Sequence, residues 1–456
     1  MAGNLPDFLA TASALTLAML LGGGQGWLGE RLLELPALAL ALLAVWRLET
    51  AAHAVAWRRD FYTLPCLLLA LPLLQLLPLP WSLWSSLPGR AAIADSLLAA
   101  GLEPQWLHWS LAPHETVRAL LGLLVPAGLF MACLALSAAQ RRRLMALVLG
   151  IAALNLLQGL LQLLEGPASR LYFYAITNRG DAVGLFANRN HLASLLATAL
   201  PVATGMLIDR LRHRRHAARD LRVWLLTALL VLLAVGVTAT RSRAALLLLM
   251  CSLVGSCLVL FRSQGHRAGW VESLRWLQLG AVLALVLIVQ YTLFALLSRL
   301  RTDPLDDLRW RLAAQTLQVA APFHGTGLGL GSFVHAYDLI GDPSASLREY
   351  INHAHDDYAE LWLEGGVPAL LLMLLAVSAC ILQLRRQWRL QRVYASLPPA
   401  QRDHHRSLML GVAFSLALLA LHSAIDYPLR TMAMQAYAAL LAAMLVAAPR
   451  PGEVRR

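Results

Sequence analysis

The sequence predicts an all-α, polytopic membrane protein that forms a single membrane domain over residues 1–456. Hydrophobic residues make up 58% of the chain and charged residues only 14%, whereas about a quarter of a typical soluble domain is charged. Apolar runs of about 17 to 25 residues, long enough to cross a bilayer as helices, recur along the whole chain. These runs leave no room for a soluble domain that folds separately.

The apolar runs predict about twelve membrane-spanning helices, with ends uncertain by about four residues. The predicted spans are 7–23, 32–46, 61–79, 117–137, 144–164, 190–208, 223–239, 244–261, 277–297, 367–384, 408–425 and 431–448. No basic region precedes the first run, so it is interpreted as a retained helix rather than a cleaved signal peptide.

The arginines predict the orientation of these helices. All 38 basic residues are arginines, and most of them lie in alternate loops such as 141–143, 209–222 and 385–406. Since basic loops stay in the cytoplasm, both termini are expected to be cytoplasmic. The net charge of +12 therefore reflects topology and does not indicate a nucleic-acid partner.

Two long segments are expected on the face opposite the basic loops. Residues 80–115 contain four tryptophans, which is typical of an amphipathic element that lies in the membrane interface. Residues 298–366 are the longest polar stretch of the chain and are predicted to form one large loop with short helices. A loop of this length in a compact domain is usually functional.

The most unusual part of that loop is its histidine-rich and acidic end, because titratable groups are costly near a bilayer. Asp357 and Glu360 predict a capping box at the start of a short helix. Gly365 and Gly366 should end this helix, and Pro368 is well placed to begin the next span.

His355 stands just before this predicted helix start, where a neutral imidazole near a carboxylate could act as a general base. In a second interpretation, His353 and His355 only satisfy hydrogen bonds of the loop. In a third, they bind a metal ion together with His324, Asp356 and Asp357, although the spacing fits no standard zinc pattern.

Seven arginines break the positive-inside pattern because they are expected on the opposite face, and four of them (Arg299, Arg301, Arg309 and Arg311) begin the large loop. Arg189 follows Asn188 at a predicted helix start, Arg241 and Arg243 lie between two spans, and Arg309 lies in the large loop. Each could be an interfacial side chain that reaches the headgroups. Alternatively, guanidinium groups and helix N-termini together could bind a phosphate.

Two further motifs allow more than one interpretation. The Gly-rich segment 325–331 contains a GxGxG pattern, but no strand precedes it, so a nucleotide site is not indicated. Its glycines more simply permit a tight turn and close backbone packing, which could cover a ligand. His422, Asp426 and Arg430 lie in the turn between the last two spans, where they either pair among themselves as a clasp or line the same cavity as the loop.

Taken in order, these motifs resemble the O-antigen ligase and O-antigen polymerase superfamily. The resemblance covers roughly residues 180–430, and the first 150 residues match only in hydropathy. The motifs that carry it are Phe186–His191, Thr240–Ala244, Arg309–Trp310, Pro322–Phe333, His353–Tyr358 with Glu364–Gly366, and His422–Thr431.

The resemblance implies a glycosyltransferase of the bacterial inner membrane with its active site facing the periplasm. Such enzymes move a glycan from undecaprenyl pyrophosphate to an acceptor hydroxyl and need neither a metal nor a nucleotide cofactor. The implied roles are donor pyrophosphate binding by Arg189 and Arg243, with Arg241 as an alternative and Arg309 assisting, and general base catalysis by His355. Asp356 replaces the Asn of the family's His-Asn-x-Tyr pattern, which adds a carboxylate next to the base.

Three functions are compatible with the sequence. The first is a polymerase of exopolysaccharide or O-antigen repeats, which the forms of the Asn-Arg-Asn-His and Asp-Tyr-Pro-Leu-Arg-Thr motifs favour. The second is a ligase that transfers glycan to lipid A–core or to a protein. The third is a transporter or flippase of lipid-linked sugars, which is disfavoured because the polar residues concentrate on one face and transporters usually bind near the midplane. The expected partners are the lipid-linked donor, the acceptor, the bilayer and other polysaccharide-assembly proteins.

Overall fold

The computed structural model describes residues 5–24, 27–50, 56–213, 220–263, 305–340, 351–394 and 406–447. Its α-helices are α1 (Leu5–Leu21), α2 (Trp27–Thr50), α3 (Ala56–Gln75), α4 (Trp81–Ser86), α5 (Ala91–Ala99), α6 (Pro113–Ala135), α7 (Ala138–Glu165), α8 (Arg189–His213), α9 (Leu221–Ala239), α10 (Arg243–Ser263), α11 (Leu305–Ala320), α12 (Phe333–Ile340), α13 (Asp357–Tyr394), α14 (Arg406–His422) and α15 (Met432–Val446). Two short strands, β1 (Pro78–Pro80) and β2 (Trp106–His108), pair in antiparallel orientation.

The protein is an all-α membrane protein, as predicted. Among the described residues, six helices are long and apolar enough to cross a membrane (α6, α7, α8, α9, α10 and α13), and shorter apolar helices occupy the other described spans. The predicted span 277–297, both chain ends and residues 298–304 and 341–350 of the predicted loop lie outside the described residues. The total of twelve spans and the orientation of the termini therefore stay predictions.

Helix α8 is the most deeply buried of the six long apolar helices, and its contact with α14 depends on small residues. A Cβ at Gly205 would lie 2.5 Å from the Ser407 carbonyl oxygen, and one at Gly411 would lie 2.2 Å from that of Pro201. Ser415 Oγ donates to the Thr198 carbonyl at 2.5 Å. Glycines that let two backbones approach this closely are typical of helix contacts in membranes.

Arg141, one of the arginines expected on the cytoplasmic side, has a structural role in addition to its expected effect on topology. Arg141 is buried and donates to the carbonyl oxygens of Cys133, Leu136 and Ala447. It thereby joins the C-terminal ends of α6 and α15, whose last carbonyls have no partner within their own helices. The guanidinium also suits the negative end of both helix dipoles.

The segment 80–115 contains the helices α4 and α5 and the strand β2, which pairs with β1 just before the segment, and the strands were not predicted. The segment packs on the Gly-rich residues 325–331: Leu111 N donates to the Leu328 carbonyl at 2.8 Å, and Thr116 Oγ1 donates to that of Leu330 at 2.9 Å. Its position in the membrane interface stays a prediction.

The Gly-rich segment forms the close backbone packing expected of it. Gly327, Gly329 and Gly331 all have positive φ angles, which glycine adopts without steric conflict. A Cβ at Gly329 would lie 2.0 Å from Ser110 Oγ, and one at Gly327 would lie 2.3 Å from the Glu364 carbonyl oxygen. The segment therefore fixes the start of α13 against residues 75–116.

Replacement of Gly329 by Ala should destabilise the protein more than replacement of Gly101. Both have positive φ (+112° and +72°), but a Cβ at Gly101 meets nothing within 4 Å. Gly101→Ala should lose only the backbone term of about 1–2 kcal/mol, and Gly329→Ala about 1–3 kcal/mol more through the clash with Ser110. Thermal unfolding in detergent measures the stability of both variants. Equal losses of stability would show that Ser110 does not clash with a side chain at position 329.

Candidate active site

A cavity of about 300 Å³ opens where α8, α10 and α13 begin and α11 passes nearby. It is lined by Arg189, Asn190, Arg241, Ser242, Arg243, Ala244, Leu247, Arg309, Trp310, Ala313, His355, Asp356, Ala424 and Ile425. The four arginines assigned to the donor pyrophosphate therefore meet His355 in one place. This supports an anion site over four unrelated interfacial side chains.

Three helix N-termini converge on this cavity, each with its own side-chain cap. Asn188 Oδ1 accepts from Asn190 N at 2.9 Å before α8, and Ser242 Oγ accepts from Ala245 N at 3.2 Å before α10. Asp356 Oδ1 accepts from Tyr358 N at 2.8 Å before α13. Helix N-termini present partial positive charge and free amides, so the cavity favours an anion.

The capping box predicted at the start of α13 was wrong by one residue. The capping residue of α13 is Asp356, which also accepts from Ala359 N at 3.0 Å. Asp357 instead accepts from Ser423 Oγ at 2.8 Å and from Leu429 N at 3.2 Å, and so ties the helix to the last turn. The predicted interruption at the glycines is present, because Gly366 has non-helical φ and ψ angles of 55° and −149°.

Two cavity residues have left-handed backbones. Arg241 (φ 54°) and His355 (φ 55°) are the non-glycine residues with positive φ in the described part of the chain. Each directly precedes a capping residue, Ser242 or Asp356, so both segments turn sharply into a helix. Such strained conformations concentrate at functional sites, where the surrounding structure enforces them.

Asp426 is a fully buried carboxylate beside the cavity. It accepts a hydrogen bond from Asn190 Nδ2, and Arg309 Nη1 lies 3.7 Å from its Oδ2. His355 Nδ1 lies 3.9 Å from its Oδ1, and His191 Nε2 lies 4.0 Å from the same atom. Burial opposes ionisation of Asp426, but His355 and Arg309 outweigh it and hold the pKa of Asp426 well below its usual range.

Arg430 pairs with α13 and not with Asp426, so neither predicted arrangement of the last turn is present. Its Nη1 lies 2.6 Å from Glu364 Oε2 and 3.3 Å from Glu360 Oε1, and its Nε lies 3.5 Å from Asp357 Oδ1. Burial would lower the pKa of Arg430, but Glu360 and Glu364 raise it further above its ordinary value. Neither Arg430 nor Asp426 lines the cavity.

The remaining supporting residues lie behind the cavity wall. His353 Nδ1 lies 2.9 Å from Glu360 Oε1, so His353 belongs to the Arg430 cluster and is not a cavity residue. His422 is fully buried, and its Nδ1 lies 2.6 Å from Ser194 Oγ of α8. Of His353 and His355, only His355 lines the cavity.

Tyr427 was not predicted as a site residue, although its ring lies close to the rings of three histidines. Its ring centroid is 4.4 Å from that of His353, 4.9 Å from His355 and 5.0 Å from His191. Its hydroxyl accepts from Asn188 Nδ2 at 3.4 Å. Burial raises the pKa of Tyr427, so the ring is a neutral packing surface.

Asp181 and Trp310 were also missed as members of the site. Asp181 Oδ2 accepts from Arg189 Nη1 at 2.5 Å and so orients that guanidinium. Trp310 lines the cavity beside Arg309, and its side chain is largely exposed. A polar residue eight positions before Arg189 carries no local sequence signal, whereas Trp310 was visible as the neighbour of a selected arginine.

Within the described residues, no group of three His, Cys, Asp or Glu side chains is arranged to hold a metal ion. The anion-binding groups of the cavity are guanidinium groups and helix N-termini. The chemistry that this arrangement can perform is therefore binding of a phosphorylated group next to an imidazole.

The O-antigen ligase family model matches residues 228–374. The matched region contains Arg241, Arg243, Arg309 and His355, and it confirms the resemblance to the O-antigen ligase superfamily. No curated protein matches the chain.

Replacement of Arg430 by Ala should strongly destabilise the protein, because it leaves Asp357, Glu360 and Glu364 without their shared cation. We expect a loss of about 3 kcal/mol, at the lower end for a broken buried ion pair because Arg430 is partly exposed. Arg118→Ala, which removes the exposed pair with Glu115, should lose less than about 1 kcal/mol. Thermal unfolding in detergent compares them, and a similar small loss for both would contradict the assigned role of Arg430.

Replacement of Asp356 by Asn should alter the pH dependence of stability while it keeps the helix cap. Burial raises the pKa of Asp356 although two backbone amides lower it. The folded protein therefore binds the proton of the Asp356 carboxyl more tightly than the unfolded chain does. The contribution of Asp356 to the free energy of unfolding then falls as the pH rises from about 3.9, the pKa of an unperturbed Asp, through the higher pKa of the folded state. Asp356→Asn should become more stable relative to the parent over that rise.

Unfolding between about pH 4 and pH 7 measures this change. Asp356→Ala serves as the control, because it also removes the titrating group but loses the cap, at about 1 kcal/mol. A parent-to-Asn difference that stays constant with pH, or moves the other way, would contradict the prediction.

Proposed function

We propose that this chain, which matches the O-antigen ligase family model over residues 228–374, transfers a glycan from a lipid pyrophosphate to an acceptor sugar hydroxyl. The observation that carries the proposal is the single cavity in which Arg189, Arg241, Arg243 and Arg309 meet His355. The donor is undecaprenyl-pyrophosphate-linked glycan, and the cavity faces the periplasm from the inner membrane.

The arginines bind and stabilise the leaving group. As the bond between the anomeric carbon and the phosphate oxygen breaks, negative charge develops on the pyrophosphate. Guanidinium groups that are already in place, together with the starts of α8 and α10, stabilise that charge in the transition state. Asp181 orients Arg189 at 2.5 Å, and no carboxylate in the described chain is paired with Arg241, which leaves its charge for the donor.

His355 acts as the general base. It takes the proton of the acceptor hydroxyl as the hydroxyl oxygen attacks the anomeric carbon from the face opposite the leaving pyrophosphate. Direct displacement of this kind inverts the anomeric centre. Nδ1 of His355 faces Asp426 at 3.9 Å, so Nε2 is the nitrogen that receives the proton, and the buried Asp426 carboxylate stabilises the resulting imidazolium.

The most favoured form of this reaction is polymerisation of exopolysaccharide or O-antigen repeats. The second candidate is ligation of finished glycan to lipid A–core, which the description of the matching family favours. A transporter is less well supported, because the cavity lies where α8, α10 and α13 begin and not midway along them.

Polysaccharide gel profiles of a strain that lacks the gene distinguish these functions. A polymerase predicts loss of long chains while core capped with a single repeat remains. A ligase predicts loss of all capped core and accumulation of lipid-linked polymer. Loss of all capped core with single lipid-linked units trapped in the cytoplasmic leaflet would support a transporter and contradict the proposal.

Replacement of His355 by Ala should abolish transfer without loss of the folded protein. Removal of a general base typically lowers rates by about 10²–10⁴-fold, so we expect product below about one hundredth of the parent level. The matched control is His335→Ala, since His335 is exposed on α12 and does not line the cavity. Transfer assays with purified protein measure both, and near-normal product from His355→Ala would rule His355 out as the base.

A further inference from the structure

Three amide side chains on one face of α7 form hydrogen bonds to a loop. Asn155, Gln158 and Gln162 are three and four residues apart, so they lie on the same face of the helix. Their partners are backbone groups of the loop 166–188, which connects α7 to α8. Asn155 and Gln162 are fully buried. Amide side chains in membrane helices commonly bond to a second helix, whereas these three bond to the loop that leads to Arg189.

Gln162 uses its whole hydrogen-bonding capacity on this loop. Its Oε1 accepts from Val183 N at 3.1 Å and from Gly184 N at 2.9 Å. Its Nε2 donates to the carbonyl oxygens of Leu171 and Gly184, both at 2.9 Å. A glutamine side chain has two donor hydrogens and one oxygen with two lone pairs, so all four places are filled. A glutamate at this position could not donate, and a methionine could neither donate nor accept in this way.

Asn155 and Gln158 hold the same stretch of the loop. Asn155 Oδ1 accepts from Leu185 N at 2.9 Å, and Gln158 Nε2 donates to the Leu171 carbonyl at 2.9 Å. The loop backbone lies so close to α7 that a Cβ at Gly184 would be 2.6 Å from the Asn155 carbonyl oxygen. Because buried backbone groups need partners, these amides fix the loop against the helix.

The loop in turn holds Arg189 at two points. Asn178 Oδ1 accepts from Arg189 N at 3.0 Å, and Asp181 Oδ2 accepts from Arg189 Nη1 at 2.5 Å. Asp181 is only two residues before Val183, which Gln162 binds. The guanidinium of Arg189 therefore keeps its place in the cavity wall only if α7 keeps the loop in place.

We propose that Gln162, assisted by Asn155, positions Arg189 for the donor pyrophosphate by fixing the loop that holds its guanidinium group. This inference rests on the proposed function, because it takes Arg189 to bind the pyrophosphate. Neither Gln162 nor Asn155 lines the cavity, so both are positioning residues that act through Arg189.

The test compares Gln162→Met with Gln75→Met. Gln75 is also fully buried and also bridges two backbone segments, since it donates to the Glu364 carbonyl at 3.0 Å and accepts from Leu330 N at 2.9 Å. Neither of those segments carries a cavity arginine. Binding of inorganic pyrophosphate to the full-length protein in nanodiscs is measured by calorimetry, with and without the further change Arg189→Ala.

We expect Gln162→Met to weaken pyrophosphate binding about tenfold, which is the effect of about one hydrogen bond to a charged group. Gln75→Met should bind pyrophosphate as the parent does. In the Arg189→Ala protein, Gln162→Met should cause no further loss, because it acts only through the missing guanidinium. Asn155→Leu removes one bond to the loop and decides the question if Gln162→Met does not fold. We expect it to weaken binding about threefold, and again only when Arg189 is present.

An equal loss of affinity with and without Arg189, or an equal loss in Gln75→Met, would overturn the proposal, because either result indicates a general structural effect. Binding also separates this inference from the proposed function. If Arg189→Ala binds pyrophosphate as the parent does, the proposed donor site is wrong. If Arg189→Ala weakens binding while the folded α7 variants keep the parent affinity, only the positioning role of α7 is wrong.

Discussion

Asp426 and Arg430, two charges of opposite sign in one short turn, determine how the elements around the cavity are positioned. Asp426 is fully buried and is surrounded by Asn190, Arg309 and His355, which come from α8, α11 and the segment before α13. Arg430 holds the carboxylates on the first turns of α13. Because a buried charge without a partner is far less stable than a paired one, these elements keep their positions only together.

The left-handed residue His355 lies within this arrangement. His355 is held between Ala354, whose amide donates to Glu360 at 2.9 Å, and Asp356, which caps α13. Its strained backbone places the imidazole next to Asp426 and in the cavity wall. Arg241 has the same relation to Ser242 and α10. The segments before α10 and α13 thus share one local structure, in which a left-handed residue is followed by a capping residue. In both, the left-handed residue places its side chain beside a helix N-terminus.

Much of the fold was predictable because apolar run length is a strong and local signal. Each predicted span within the described residues coincides with a helix, and the cavity collects the arginines and the histidine that were selected as out of place. The partners of those residues could not be predicted, because they depend on packing. Arg430 finds Glu364 across 66 residues, Asp181 carries no local signal, and Asp356 rather than Asp357 caps α13 because Asp357 is already engaged by Ser423 and Leu429.

The central claim is that one cavity holds both the leaving pyrophosphate and the base. A cryo-electron microscopy map of the protein with a non-transferable analogue of the lipid-linked donor tests it most directly. We expect pyrophosphate density in contact with Arg189 and Arg243, and the anomeric carbon on the side that faces His355. Pyrophosphate density outside the cavity that these three residues line, with His355 remote from the sugar, would contradict the claim.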